Sequence, residues 1–295
     1  MDALQNISDY TAECCTPQFF TIVVILMISL ATWVYRRWHE ENELEEKKGL
    51  VVNYHFHRQC NYHCKFCFHT ALNSDIAPVD KAKEAMRNLK TRGIVRVNFS
   101  GGEPFLQPKW LGEMCEYCHS TLGLYVSIVS NGSNIREKWL QKFGKYVDVL
   151  AISCDSFNED TLKEIGRWAK RKDHLKQLKN IQAWCKTYRI IFKINTVVCS
   201  ANKDEDLTEE IKTLNPARWK VFQCLLIDGE NAGPDAIRDA QDQVVTKSQF
   251  NAFKERHSSL KQLVPEDNDT MRNSCVLFVV YLCLFGSDSW LWLVK

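Results

Sequence analysis

Cys60, Cys64 and Cys67 stand in the run Cys-Asn-Tyr-His-Cys-Lys-Phe-Cys, a C-x3-C-x2-C spacing. Three thiolates in one short loop cannot all pair as disulfides. They can hold three irons of a four-iron cluster and leave the fourth iron open for a cofactor or substrate. Soft thiolate ligands favour iron–sulfur clusters or zinc. Zinc, with His63 or His69 as the fourth ligand, is the alternative. Structural zinc sites usually show two separated ligand pairs, and the other close pair, Cys115 and Cys118, falls on a predicted helix. The spacing therefore points first to a cluster, with Phe66 and Phe68 placed to shield it from water.

A second set of residues carries charge. Lys193 interrupts an apolar strand-like run, where a charge is costly unless it has a task. Asn195, two positions on, projects from the same face of that strand. Arg218 and Lys220 repeat the spacing on the next strand. Arg offers forked phosphate contacts and Lys a point charge.

These residues need a frame. From Leu50 the sequence alternates strand and helix patterns. Strands are predicted over 51–57, 94–99, 124–129, 147–153, 190–198 and 219–227. Helices are predicted over 80–92, 108–121, 135–143, 159–187, 205–214 and 246–261. Repeated βα units imply an α/β fold with a parallel sheet and right-handed crossovers, either open or curled into a partial (β/α)6 barrel. Function in such folds gathers at the C-terminal ends of the strands. The cysteine loop, a Ser-Gly-Gly-Glu-Pro turn, Asn131, Ser153 and Asp155 all fall there. That convergence argues for an enzyme.

Composition sets limits. The chain has 295 residues, a formal net charge of +2 and 13 cysteines. So small a basic excess argues against a general nucleic-acid binder. Cys154, Cys185, Cys199 and Cys224 sit singly in apolar segments, as reduced, buried thiols do. Disulfide frameworks belong to short secreted chains, so the bulk of the chain reads as cytosolic.

The N-terminus differs. The segment 19–35 (FFTIVVILMISLATWVY) is uncharged and close to the lower limit of a span, roughly 17 to 25 residues. It reads as a membrane-associating helix, either spanning or lying in the interface plane. Asp2, Asp9 and Glu13 precede it, and Arg36 and Arg37 follow it. The positive-inside rule then places the rest of the chain in the cytosol. A cleavable signal peptide fits poorly without a basic start. The charged run 36–48 reads as a solvated helical linker. Three regions are expected: 1–45 for membrane helix and linker, 46–271 for the catalytic core, and 272–295 for an apolar tail.

The cysteine loop after the first strand, followed one βα unit later by Gly101-Gly102-Glu103-Pro104, resembles the radical S-adenosylmethionine (SAM) superfamily. The runs NYHF, RQCNYHCKFCFHTA, VNFSGGEPFL, VSIVSNGS, LAISCDSF, FKIN and NPARWKVFQCLLI resemble, more closely, the antiviral viperin family within it. The likeness covers about residues 50–271. It implies a [4Fe–4S] cluster on Cys60, Cys64 and Cys67, whose open iron chelates SAM. It implies SAM contacts from Gly101, Gly102 and Glu103, with Ser153 and Arg167 as further SAM residues. The implied reaction is hydrogen abstraction from the ribose C4′ of CTP, giving the chain terminator 3′-deoxy-3′,4′-didehydro-CTP. Lys193, Asn195, Arg218 and Lys220 are the implied CTP contacts, joined by Asn53 and by Arg96, which stands where the family usually has lysine. Membrane lipid, the endoplasmic reticulum's cytosolic face and lipid droplets follow from the same likeness.

The likeness stops after Ser274. Cys275 stands where the family has a tyrosine tied to quenching the product radical. The following apolar run replaces the segment that closes over the nucleotide and the terminal tryptophan that recruits the cytosolic iron–sulfur assembly machinery. Two readings are therefore carried forward. One is a viperin-type enzyme. The other is a catalytically impaired, membrane-bound form that acts in antiviral defence by binding other proteins.

Overall fold

The computed structural model describes Met27 and residues 50–69, 75–168, 173–274 and 277–278, the last two and 272–274 as backbone. The chain divides into Met1–Lys48 and Gly49–Lys295. The expected membrane helix, apart from Met27, and the linker lie outside the described residues, as does Cys275. No helix among the described residues is long and apolar enough to cross a membrane.

The core of the second unit is one parallel sheet. Its strands are β1 (Leu50–His55), β2 (Ile94–Ser100), β3 (Tyr125–Ser130), β4 (Val149–Ser153), β5 (Ile191–Val198), β6 (Arg218–Gln223), β7 (Leu263–Glu266) and β8 (Leu277–Phe278). Spatial order follows sequence from β7 to β1, with β8 added beside β1. The helices between them are α1 (Val79–Thr91), α2 (Pro108–Glu116), α3 (Glu137–Phe143), α4 (Glu159–Ile165), α5 (His174–Tyr188), α6 (Thr208–Leu214), α7 (Lys247–Arg256) and α8 (Asn268–Ser274). The sheet is open, with β7 and β8 as its edges.

Two-residue periodicity makes the sheet two-sided. Along β5, Phe192, Ile194, Thr196 and Val198 are buried while Lys193, Asn195 and Val197 are half-exposed. The buried set meets the helices. In α1, Ala82, Met86 and Leu89 recur at helical spacing and are buried. In α5, His174, Leu178, Ile181 and Cys185 do the same, behind an N-cap in which Asp173 accepts from Lys176 N at 2.8 Å. Trp219 on β6 is fully buried, and its indole N–H donates to Thr196 Oγ1 at 2.8 Å. Burying an aromatic with its polar tip satisfied stabilises the core by roughly 2–3 kcal/mol per such side chain.

The six predicted strands are all present, but the sheet is larger than a six-stranded barrel. β7 escapes a sequence reading because it is four residues long and contains Pro265. Proline cannot donate to a ladder and is tolerated here because β7 is an edge. β8 falls inside the expected apolar tail, where no alternation marks it. Strand β6 ends at Gln223, not at 227. The predicted helix over 159–187 is two helices, α4 and α5. Gly166, in the left-handed region at φ +84°, ends α4, a position glycine occupies without Cβ strain.

Candidate active site

The cysteine loop leaves β1 at the C-terminal edge of the sheet and is gripped by its neighbours' backbones. Gly102 N donates to His57 O at 2.8 Å and Glu103 N to Gln59 O at 2.7 Å. A Cβ on Gly101 would overlap His57 O, and one on Gly102 would overlap Gln59 O. The two glycines therefore exist so that the turn after β2 can lie against the start of the cysteine loop. On the other side, His63 N donates to Gly166 O at 3.1 Å and Lys65 N to Ile165 O at 2.9 Å. A Cβ on Gly166 would overlap His63 O. Tyr62, Cys64, Phe66, Ile165, Cys199 and Cys224 form a small apolar cluster around the loop.

All three loop cysteines are free thiols. Burial pushes Cys64 up to about 12 and raises Cys67 as well. As bare thiols they keep their protons, so taking up metal releases them. No three His, Cys, Asp or Glu side chains among the described residues are gathered to hold one ion. Zinc needs its ligands around a single point. A four-iron cluster instead takes each thiolate on a different iron, and three free thiols in an apolar shell fit that group.

Glu103 is fully buried. Its carboxylate accepts from Ser130 Oγ and Asn131 N, each at 2.7 Å, and from Phe105 N at 3.0 Å. Burial raises its pKa, and the bonds from Ser130 and Asn131 oppose that rise. These three donors belong to the protein, so Glu103 ties the turn after β2 to the end of β3. Asn131 is the residue it aims: the Asn131 amide donates to Asn61 Oδ1 at 3.0 Å and lies 3.7 Å from Cys60 Sγ.

Arg167 is buried just beyond α4, with its Nε on the Asp155 carboxylate. Burial would lower its pKa, but Asp155 more than offsets this and holds the guanidinium charged. Asp155 also accepts from Val197 N at 2.9 Å. Arg167 faces the Phe66 ring at 6.0 Å. Ser153 ends β4, half-buried, in register with Asn195. Ser153 and Arg167 thus both lie at the C-terminal edge of the sheet.

The charged residues share the half-exposed inner face. Lys193 pairs in register with Arg218, and Asn195 with Lys220. Arg96 on β2 lies over the Tyr125 ring at 4.6 Å. Asn53 on β1 accepts from Asn98 Nδ2 at 2.7 Å. Lys220 forms an ion pair with Glu266 on β7. Lys193 makes no ion pair among the described residues. Burial, then Arg218, Arg96 and Lys220, lower it to about 7.

Sequence reasoning missed several residues, and took up His69 only as a possible fourth zinc ligand. His57, His69 and Ser100 are buried, and nitrogens of His55, His57 and His69 and the Ser100 hydroxyl lack hydrogen-bond partners among the described residues. His55 and Ser100 are register partners at the strand ends. Burial holds His55 and His57 near 4, and His69 about 2, so all three are neutral. Buried polar atoms rarely stay unpaired, and this group faces the cysteine loop it flanks in sequence. Glu266 was missed because its strand was. Asp155 and Asn131 were legible only as polar residues after strands.

The radical SAM superfamily pattern matches residues 54–214. The S-adenosylmethionine-dependent nucleotide dehydratase RSAD2 of Oncorhynchus mykiss is 54% identical over 234 residues, covering 78% of this chain and 67% of that protein. The Danio rerio RSAD2 is likewise 54% identical, with 65% of its length covered. The chain thus spans about two thirds of the fish relatives' length. A nucleotide dehydratase of Flammeovirga pacifica is 35% identical over 247 residues, covering 80% of this chain and 82% of that protein. Among solved structures, Streptococcus suis SuiB bound to S-adenosylmethionine superposes with a TM-score of 0.59 at 15% identity, covering 74% of this chain and 50% of that one. That likeness bears on the fold alone. Taken with the free-thiol loop and the glycine-docked turn, these relatives show that the chain belongs to the radical SAM superfamily and, within it, to the viperin family of S-adenosylmethionine-dependent nucleotide dehydratases.

Proposed function

We propose that this chain is a radical SAM dehydratase that acts on CTP, removing the 3′-hydroxyl as water to give 3′-deoxy-3′,4′-didehydro-CTP. Cys60, Cys64 and Cys67 would hold the cluster, which would supply SAM with the electron that yields a 5′-deoxyadenosyl radical for the ribose C4′ hydrogen; loss of the 3′-hydroxyl as water then takes a proton and one further electron from the external reductant. One observation carries the substrate class. Lys193, Arg218, Lys220 and Arg96 share the half-exposed face of the sheet, and among the described residues Glu266 is the one carboxylate paired to them. A triphosphate supplies the missing negative charge. Arg218 and Arg96 offer forks, and Lys193 and Lys220 offer point charges.

The remaining residues orient. Asn195 and Ser153 stand side by side toward the cysteine loop and offer hydrogen bonds to ribose or to SAM. The Asn53–Asn98 pair does the same on the opposite wall. Arg167, fixed by Asp155, places a charged guanidinium against Phe66 of the cysteine loop, where the SAM carboxylate is a suitable partner. Gly101 and Gly102 act through the docking of the loop, and Glu103 through Asn131. The segment 19–35 is proposed to attach the chain to the cytosolic face of the endoplasmic reticulum or to lipid droplets. Deleting it and finding the protein still in the membrane fraction would refute that.

The test is anaerobic reconstitution, reduction, and measurement of 5′-deoxyadenosine with and without CTP, UTP and GTP. Formation that rises at least about tenfold with CTP, together with a dehydrated CTP product, supports the reading. Slow cleavage that ignores every nucleotide overturns it and favours a binding role.

A further inference from the structure

The cysteine loop is docked on one side by the turn after β2 and on the other by the end of α4. A third segment, residues 225–240 between β6 and α7, also reaches it. Arg58, two residues before Cys60, forms a forked ion pair with Glu230, both N–O distances being 2.9 Å. Asn231 Nδ2 donates to Phe66 O at 2.9 Å, between Cys64 and Cys67. Arg238 Nη2 lies 3.1 Å from His63 Nδ1, between Cys60 and Cys64. A guanidinium only donates, so this nitrogen of His63 accepts. Every interval of the cysteine loop is therefore touched.

Asn231 is the pivot. It is fully buried, while the rest of 225–239 is half-buried or exposed. Its amide donates a second bond to Leu225 O at 2.9 Å, and its Oδ1 accepts from Ile227 N at 2.7 Å. One side chain thus folds its own segment and holds the Phe66 carbonyl. Ala240 N donates to Asn231 O at 2.9 Å, and Ala240 packs in the apolar cluster with Cys64 and Phe66.

We infer that residues 225–240 form a clamp that fixes the cysteine loop and keeps solvent from the cluster, with Asn231 and Glu230 as positioning residues. This rests on the assignment of a cluster to Cys60, Cys64 and Cys67. Partners that orient a metal's ligands commonly change affinity or activity 10- to 100-fold when altered. Asn231→Asp keeps the shape and removes both donors. Glu230→Gln keeps the shape and removes the Glu230 charge from the forked pair with Arg58.

The full chain is reconstituted as wild type, Asn231→Asp and Glu230→Gln. Iron per chain, the EPR signal of the reduced cluster and the lifetime of its visible absorbance in air are measured, along with the melting temperature of cluster-free protein. The clamp predicts a lifetime about tenfold shorter and an altered EPR signal for Asn231→Asp, together with a lower cluster-free melting temperature because a carboxylate is buried there, and a lifetime about threefold shorter with near wild-type cluster-free melting for Glu230→Gln. The double change Arg58→Glu, Glu230→Arg should recover part of the lifetime lost in Arg58→Glu alone. Wild-type iron, EPR and lifetime in both variants overturn the clamp. A fall in cluster-free melting with an unchanged cluster also overturns it, leaving a purely structural segment. A wild-type chain that takes up no iron and sulfide fails the cluster assignment itself, a distinct outcome.

Discussion

The two ends of this site satisfy their polar groups in opposite ways. Around the cysteine loop, backbone meets backbone. Gly101, Gly102 and Gly166 remove side chains so that His57 O, Gln59 O and His63 O can approach. Glu103 and Asp155 are buried carboxylates with protein partners. On the inner face of the sheet, Lys193, Arg96, Arg218 and Lys220 crowd together, and among the described residues Glu266 is the one carboxylate paired to them. The first region is a scaffold held by its own backbone bonds and buried carboxylates. The second carries a charge excess that the described residues do not cancel. A rigid, internally bonded region positions chemistry, while a charge-loaded one selects what enters.

If that contrast holds, the two regions should break separately. The largest effect is expected at the glycines. Gly102→Ala drives a Cβ into the Gln59 carbonyl, and overpacking of this kind costs about 3 kcal/mol. Iron incorporation should fall by at least about tenfold, with SAM cleavage lost in proportion. Iron analysis after reconstitution checks this, and a Gly102→Ala protein with full iron and normal cleavage would break the scaffold half of the comparison.

Next in size is Lys193→Met. It should weaken CTP binding by about 2–3 kcal/mol, or roughly 30- to 150-fold. Iron content should not change. Calorimetric titration of both proteins measures it.

The pH dependence sharpens the same point. Burial, then Arg218, Arg96 and Lys220, lower Lys193 to about 7. Tyr125, under Arg96, Glu266, paired to Lys220, and His55 at the end of β1 are further titratable groups on this side of the sheet, and Ala151 is the register neighbour on β4. A triphosphate favours charged Lys193 and raises its pKa. Above about pH 7, binding must then take up a proton, and affinity should fall by up to about tenfold per pH unit. Below pH 7 the lysine is already charged and this dependence disappears. Titrations between pH 6 and 9 in buffers of different ionisation heat read the proton count, and Lys193→Arg should flatten the slope.

Smaller, and opposite in sign, is Glu266→Gln. Releasing Lys220 from its partner should tighten CTP binding by about 0.5–1 kcal/mol. The least effect on chemistry belongs to Thr246→Ala. Thr246 and Gln249 form a capping box at α7, so its loss should cost about 1 kcal/mol of stability and leave both iron and CTP binding intact.

How much of this was readable beforehand also differs between the two regions. The cysteine spacing, the Gly-Gly-Glu-Pro turn and the lysine within an apolar strand are chemical anomalies in sequence. So the fold class, the loop and the cationic face were all legible. What Gly101, Gly102 and Glu103 touch was not, because those contacts join residues on separate strands. Asn231 and Glu230 were invisible for the same reason. They lie far from the loop in sequence, in a segment with ordinary turn composition. Glu266 was hidden by Pro265, which disguises its short edge strand.

The measurement that bears most directly on the central claim is CTP-stimulated formation of 5′-deoxyadenosine by reconstituted wild type and Lys193→Met, side by side. The account predicts strong stimulation in the wild type. In the variant, stimulation should be lost while the slow, nucleotide-independent cleavage and the iron content remain. Equal stimulation in both proteins would contradict it, because the charge excess on the sheet would then have no part in admitting the substrate.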